Sequence, residues 1–300
     1  DVGNRIDNLV RSPEFSSFLH GTSKREKLTM ISPRDPNIKL RLRLVKYGRE
    51  NLLLTARDIS EQELLNTVRQ EFVSNASHEL RTPLTVIRGY LEVMANDKKC
   101  SEQTRENLSI VLNQTGRMEE IITDMLTLSR LEHTHLGSAE GEQVNISAII
   151  QQLVEDAVKA GIAEQGQVML DCNDEVCLKG MSTEITSVCT NLLHNALLHN
   201  PPGTPIEISW QLNTNGVPNL VVRDKGEGID AMHVARITER FYRVDSSRSR
   251  ESGGTGLGLS IVKHIVLRHG GMLDIYSVPG EGSIFTCSFD RARALSCSDD

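Results

Sequence analysis

The run Ser77-His78-Glu79-Leu80-Arg81-Thr82-Pro83 brings together an imidazole, a carboxylate, a hydroxyl one helical turn on, and a proline. On a helix His78 and Thr82 lie about 40° apart on one face, with Ala76 and Leu80 pointing away from them. The imidazole is therefore expected to face water. A neutral imidazole is a competent phosphoryl acceptor, and Glu79 stands where it can take the ring proton or orient the tautomer. Pro83 has no N–H to give the carbonyl of Glu79 and crowds it, which predicts a bend where a second domain or protein could reach the ring.

A second set of polar residues lies in the C-terminal half. Asn191, Asn195 and His199 stand four apart on a breaker-free run, beside the apolar face of Ile185, Cys189, Leu192 and Ala196. The strand-like segment ending at Asp224 points Leu220, Val222 and Asp224 the same way. A carboxylate on the buried side needs a donor, and an adenine exocyclic amine is one candidate. Gly226 and Gly228 let the backbone approach a flat base. A second glycine cluster, Gly253 to Gly258, leads into an apolar helix, and free N–H groups at such a start suit a polyphosphate. The cluster lacks the Gly-Lys-Ser/Thr ending of a P-loop, and no β-α-β dinucleotide unit surrounds it.

These groups must be held by larger elements. From Leu64 the apolar positions Leu65, Val68, Phe72, Ala76, Leu80, Leu84, Ile87, Leu91 and Met94 recur by threes and fours, which predicts a helix with one apolar seam. The breaker 96–99 ends it, Ser101 and Thr104 can cap the next, and a second seam runs from Leu108 to about Leu131. One hairpin cannot bury both seams, so two copies are expected to pair as a four-helix bundle. A plain coiled-coil stalk explains the seams equally well, but not a histidine and a proline placed within them.

Ahead of the hairpin, the residues from Asn4 to Leu19 are loosely helical and interrupted by Pro13. Leu40, Leu42, Leu44 and then Leu52 to Ala56 read as an antiparallel strand pair. Beyond it, strands are expected at 168–170, 176–178, 219–224, 272–276 and 283–289, with helices near 146–154 and 183–199 and a charged lid at 230–252.

A chain of 300 residues accommodates two or three domains. Its net charge of -7 argues against a nucleic-acid binder. The 6 cysteines show no CxxC spacing, so a reduced compartment is the simpler reading. No apolar run is long enough to span a bilayer. The chain opens at Asp1, as a processed or excised chain would, leaving room for a membrane anchor elsewhere.

The stretch around His78 resembles the phospho-acceptor box of the sensor histidine kinases of two-component systems, and within them the phosphate-sensing branch. Asn191-to-Asn195, Asp224-x-Gly-x-Gly, Glu239-Arg240-Phe241-Tyr242-Arg243 and Gly254-x-Gly-x-Gly resemble, in order, the asparagine, first glycine, phenylalanine and second glycine boxes of the same family's ATP-binding domain. Ala56-Arg57-Asp58-Ile59-Ser60 resembles the end of a PAS sensor domain, with Ser60 where threonine is usual. The resemblance implies a multi-domain α+β chain. It divides into a partial PAS-like α/β cap and connector (1–62), a dimeric antiparallel four-helix bundle with two helices per chain (63–136), an α/β-sandwich ATP-binding domain of the histidine-kinase, gyrase and Hsp90 type (137–295), and a disordered tail (296–300).

It also implies roles. His78 would accept a phosphoryl group from ATP, with Glu79 assisting, and pass it to an aspartate of a response regulator; Thr82 would position a water for dephosphorylating that regulator. Asn195 would coordinate Mg2+, Asn191 would support the phosphates and Asp224 would hold the adenine. Gly226 and Gly228 would shape the base pocket, and His199, Phe241, Arg243, Thr255, Gly256, Leu257 and Gly258 would complete the nucleotide site. Two departures stand out: His199 where tyrosine is frequent, and Leu198 where a basic residue often meets phosphate. Arg243, Arg248 and Arg250 are the candidates to compensate. The implied partners are a second copy and a response regulator, with no nucleic acid, at the cytoplasmic side of a bacterial inner membrane to which a parent protein is anchored. Two rivals remain at this point. A gyrase-like or Hsp90-like ATPase explains the second half but leaves Ser77 to Pro83 without purpose, and an idle dimer would merely relay signals.

Overall fold

The computed structural model describes residues 6, 10, 12–20, 27–47, 51–96, 101–131, 141–244 and 254–297. Outside these lie the helix breaker from Asp97, the linker from Gly137, the later part of the lid with Arg248 and Arg250, Gly253, and the last three residues. The described chain forms two compact units, Asp1–Phe72 and Val73–Asp300.

In the first unit, α1 (Pro13–Leu19) packs on a three-stranded antiparallel sheet, β1 (Lys27–Ile31), β2 (Lys39–Tyr47) and β3 (Asn51–Asp58). Pro13 opens the helix instead of interrupting it: it sits in the first turn, where no N–H is needed, behind the N-cap Ser12. Phe15, Phe18, Leu28 and Leu42 form the core. The expected strand pair is β2–β3, with Leu42 opposite Ala56. The turn into the next helix is fixed by Asp58, whose Oδ1 accepts from the N–H and the hydroxyl of Ser60 at 2.9 and 2.6 Å, while Ser60 Oγ accepts from the N–H of Lys39 at 2.8 Å. Those two bonds from Ser60 pull the Asp58 carboxyl below its ordinary range.

Helix α2 (Ser60–Ala95) runs unbroken through Pro83 and passes from the first unit into the second. Helix α3 (Glu102–Leu131) starts behind Ser101, whose hydroxyl accepts from the N–H of Thr104 at 3.2 Å. Leu84 packs with Ile122 and Leu126, and Arg88 pairs with Glu119 at 2.7 Å. As the number rises on one helix it falls on the other, so the hairpin is antiparallel. The face of α2 turned inward carries Ser77 and Leu84, whereas Leu80 and Ile87, expected inside, are 51% and 46% exposed. Those two lie on a separate seven-residue stripe with Met94, matched on α3 by Val111, Met118 and Met125. A single hairpin has one inner face, and the second stripe stays uncovered within one chain.

The rest of the second unit is a sheet in the order β5-β7-β8-β10-β9 covered on one face by helices, with a smaller sheet β11-β6-β4 at its edge. The strands are β4 (Glu142–Val144), β5 (Val168–Cys172), β6 (Val176–Gly180), β7 (Ile206–Leu212), β8 (Pro218–Asp224), β9 (Met272–Val278), β10 (Gly282–Ser288) and β11 (Ala294–Ser296). The helices are α4 (Ile146–Lys159), α5 (Ser182–Leu198), the single turn α6 (Ala231–Val234) and α7 (Gly258–Arg268). β7 had no assignment from sequence, although Ile206, Ile208 and Trp210 alternate inward. Trp210 is fully buried and its indole N–H donates to the carbonyl of Val176 at 2.8 Å, tying the two sheets together. Leu128 and Leu131 of α3 belong to this same core.

One expectation is corrected at the chain end. The cysteines are not all free: Cys177 and Cys297 form a disulfide. Ser296 pairs with Val176 on β6, and the N–H of Cys297 donates to Glu175 at 2.9 Å, so these two tail residues are ordered. The pairing escapes a spacing search because β6 and β11 are brought together only by the sheet.

Candidate functional site

Asp224 ends β8 on the buried side of the sheet, 5% exposed, as the alternation of Leu220 and Val222 requires. Its Oδ1 accepts from the N–H groups of Gly226 and Ser283 at 3.0 and 3.3 Å. Among the described residues no donor reaches Oδ2, and Asp224 lines a cleft of about 1390 Å³. A buried carboxylate oxygen facing a cleft is an acceptor awaiting a donor. The turn beside it is shaped by glycine: a Cβ at Gly226 would have to displace the Asn200 side chain, whose Oδ1 would lie 1.5 Å away, and Gly228, with φ +69, admits no side chain because a Cβ there would fall 2.0 Å from the carbonyl oxygen of Val278.

Helix α5 forms the opposite wall, with Asn191, Asn195 and His199 on the cleft and Ile185, Cys189, Leu192 and Ala196 in the core. Asn191 is fixed, its Nδ2 donating to the carbonyl and hydroxyl oxygens of Ser187 at 2.8 and 3.3 Å. The Asn195 amide has no hydrogen-bond partner among the described residues and is free to meet a ligand. His199 is held below the ordinary histidine range, first by lost hydration and then by the charges of Arg243 and His194.

The third wall is the glycine loop entering α7. Thr255, Gly256 and Gly258 line the cleft, as does Arg243. Gly256 takes φ +71, its carbonyl accepts from the N–H of Phe241 at 2.9 Å, and Phe241 itself takes φ +60. Two expected site residues give no side chain to the cleft: Phe241 is 54% exposed at the surface, and Leu257 is buried in the core. Gly226 supports Asp224 from behind.

Helix α3 supplies a wall that no sequence signal announced. Glu119, Glu120 and Asp124 line the cleft, Thr255 Oγ1 donates to Asp124 Oδ2 at 2.8 Å, and Arg117 Nη2 donates to the carbonyl of Gly254 at 3.3 Å. On sequence these were ordinary polar positions of an amphipathic helix. Across the hairpin, His78 lies in α2 six residues before Leu84, about 9 Å along the axis; its side chain is outside what the structure describes. Glu79 and Thr82 are exposed.

Residues 68–134 match the model of the His Kinase A (phospho-acceptor) domain, and residues 180–293 match that of the histidine kinase-, DNA gyrase B-, and HSP90-like ATPase. The phosphate regulon sensor protein PhoR of Pseudomonas aeruginosa is 40% identical over 98% of this chain and 66% of its own length. The same-named protein of Haemophilus influenzae is 32% identical over 98% of this chain and 68% of its own. The chain belongs to the two-component sensor histidine kinases. The family assignment also covers the sensor protein SrrB of Staphylococcus aureus, 32% identical over 79% of this chain but 41% of its own length. The chain thus spans about two thirds, or less, of these relatives.

Among solved structures, full-length ShkA in complex with AMPPNP aligns with TM-score 0.60 at 20% identity, over 76% of this chain and 47% of that one. The Acinetobacter baumannii histidine kinase AdeS aligns with TM-score 0.50 at 24% identity, over 71% and 96%. Both show a likeness of fold. Among the described residues no helix is long and apolar enough to cross a membrane.

Proposed function

We propose that the chain is an ATP-dependent protein-histidine kinase that phosphorylates His78 and hands the phosphoryl group to an aspartate of a response regulator, in phosphate-starvation signalling. The observation that carries the nucleotide half is Asp224, a buried carboxylate whose free oxygen faces a cleft floored by glycine. An adenine amine is the donor it lacks, and the part of the same cleft lined by Asn191, Asn195 and the start of α7 suits a triphosphate. The ligand named for ShkA, AMPPNP, supports this reading.

In this assignment Asp224 orients the base, Gly226 and Gly228 let it lie against backbone, and Asn191, His199, Arg243 and the loop of Thr255, Gly256, Leu257 and Gly258 bound the phosphates. Mg2+ would neutralise phosphate charge. Among the described residues no three His, Cys, Asp or Glu side chains converge on a metal, so the ion would rest on Asn195 and ligand oxygens. The protein's task in phosphoryl transfer is positioning and charge neutralisation. His78 would supply the ring nitrogen that attacks the terminal phosphorus as ADP leaves, and Glu79 would take the proton that the ring releases or fix its tautomer.

Thr82, exposed one turn after His78, would position water for dephosphorylating the regulator. The uncovered stripes of Leu80, Ile87 and Met94 and of Val111, Met118 and Met125 support a homodimeric four-helix bundle, with domain limits at 63–136 and 137–295. The first unit, its sheet ending in the Asp58 turn, is assigned as a partial PAS-like cap (1–62) feeding the bundle. The likeness to phosphate regulon sensors supports a parent protein anchored at the inner membrane with this part in the cytoplasm.

Incubation with γ-labelled ATP and Mg2+ tests the proposal. Acid-labile, alkali-stable label that disappears in His78→Ala is the expected result. Free phosphate without labelled protein would instead indicate an ATPase machine, and neither product an idle relay.

A further inference from the structure

The glycine loop is pinned to the helical hairpin at Gly254 and Thr255. Asp124 Oδ2 accepts from Thr255 Oγ1 at 2.8 Å, the same oxygen of Thr255 accepts from the N–H of Leu257 at 3.2 Å, and Arg117 holds the carbonyl of Gly254. Helix α7 begins three residues beyond Thr255, so the N–H groups suited to a phosphate chain face a wall carrying Glu119, Glu120 and Asp124. Glu119 is offset by Arg88 at 2.7 Å. Asp124 and Glu120 have no cationic partner among the described residues. Burial and, less strongly, the charge of Glu120 raise the pKa of Asp124, while the Thr255 hydroxyl opposes them. Further negative charge at this wall is therefore resisted.

We propose that Asp124, with Glu120 beside it, is a specificity-determining residue that makes the nucleotide site, while docked on α3, favour a diphosphate over a triphosphate. The inference rests on the nucleotide-binding reading above and adds to it a selection between substrate and product. ATP carries roughly one more negative charge than ADP, and that charge sits at the end of the phosphate chain. In the docked arrangement it meets uncompensated carboxylates, so ADP is retained there and ATP favours release of the loop from α3.

The test is equilibrium binding of ADP and of AMPPNP to the whole chain, read as the ratio of the two dissociation constants, for the wild type and for Asp124→Asn, Glu120→Gln and Glu155→Gln. Asparagine keeps an acceptor for Thr255 and removes the charge. Asp124→Asn should move the ratio toward AMPPNP by about three- to tenfold, as expected for one unit charge at about 6 Å in a partly screened site. Glu120→Gln should move it less in the same direction, and the shifts should shrink in 1 M salt, at a Debye length of about 3 Å. Glu155, exposed on α4 and paired with Lys159, should leave the ratio unchanged. Binding of both nucleotides with a ratio that Asp124→Asn does not move, or that Glu155→Gln moves equally, overturns the inference and leaves the nucleotide site standing. A wild type that binds neither nucleotide overturns both.

Discussion

Asn191 and Gly258 occupy one space where α5 meets the first turn of α7: a Cβ at Gly258 would lie 2.4 Å from Asn191 Oδ1. Asn191 cannot swing aside without giving up its bonds to Ser187. Gly258→Ala should therefore displace the amide from the cleft or push α7 outward, a change costing about 1–3 kcal/mol. The expected outcome is nucleotide affinity reduced tenfold or more with a smaller fall in melting temperature, read by nucleotide titration beside a thermal melt.

Thr82 and His78 lie one turn apart on α2, with Thr82 exposed and so able to hold a water beside a docked partner. Removing the hydroxyl in Thr82→Ala should lower dephosphorylation of the phosphorylated regulator about tenfold or more, through lost orientation of the attacking water. Labelling of His78 should survive nearly intact. Time courses of both reactions with one preparation measure the split; equal loss of both would exclude separate roles.

Much of this was legible in the residues because local chemistry dictated it. The seams of α2 and α3, the alternation that buries Asp224, and the stripe of Asn191, Asn195 and His199 all follow from helix and strand periods. What was not legible depends on distant segments meeting. The inner face of α2 proved to carry Ser77 and Leu84, with Leu80 and Ile87 on a second stripe, because two stripes only about 40–60° apart around a helix read as one broad seam. The α3 wall of the cleft was hidden because Arg117, Glu120 and Asp124 have the composition of any solvated helix face.

His269 is fully buried, its Nδ1–H donating to the carbonyl of Ile265 at 2.9 Å and its Nε2 accepting from the N–H of Met181 at 3.3 Å. Burial holds its pKa below the ordinary value of 6.5, the Ile265 bond opposes, and the charges of Arg293 and Arg268 depress it further. Glu184 of α5 also faces the ring, 3.8 Å from Nδ1, and the net direction stays that set by burial. A depressed folded pKa means the unfolded chain binds the proton first. The contribution is thus present above about pH 6.5 and is lost as pH falls through the folded value. Glu184, raised by burial against the pull of Arg268, works with opposite sign, losing stability as pH rises through its own range. Melting temperature should fall on acidification from pH 7.5 to 5.5, and His269→Gln should flatten that slope. A slope unchanged in the variant would assign the acid loss elsewhere.

The Cys177–Cys297 disulfide closes a sequence separation of 120 residues and fastens the three-residue strand β11 to β6. A strand that short adds little by its own ladder, so the crosslink and the bond from Cys297 N–H to Glu175 hold the chain end. Loops of this length are associated with about 2–5 kcal/mol of stabilisation, chiefly through the unfolded chain. Cys297→Ser should lose an amount in that range in denaturant unfolding. Reductant should cost the wild type the same and leave the variant unaffected. Alkylation of the folded, unreduced chain followed by peptide mass analysis gives the direct check. Cys177 and Cys297 should resist label, and so should Cys189 and Cys287 for a different reason, being buried, with the Cys189 thiol pushed up to about 12 and that of Cys287 higher still. Reduction before alkylation of the unfolded chain separates the two cases, since only the bonded pair then needs reductant to react.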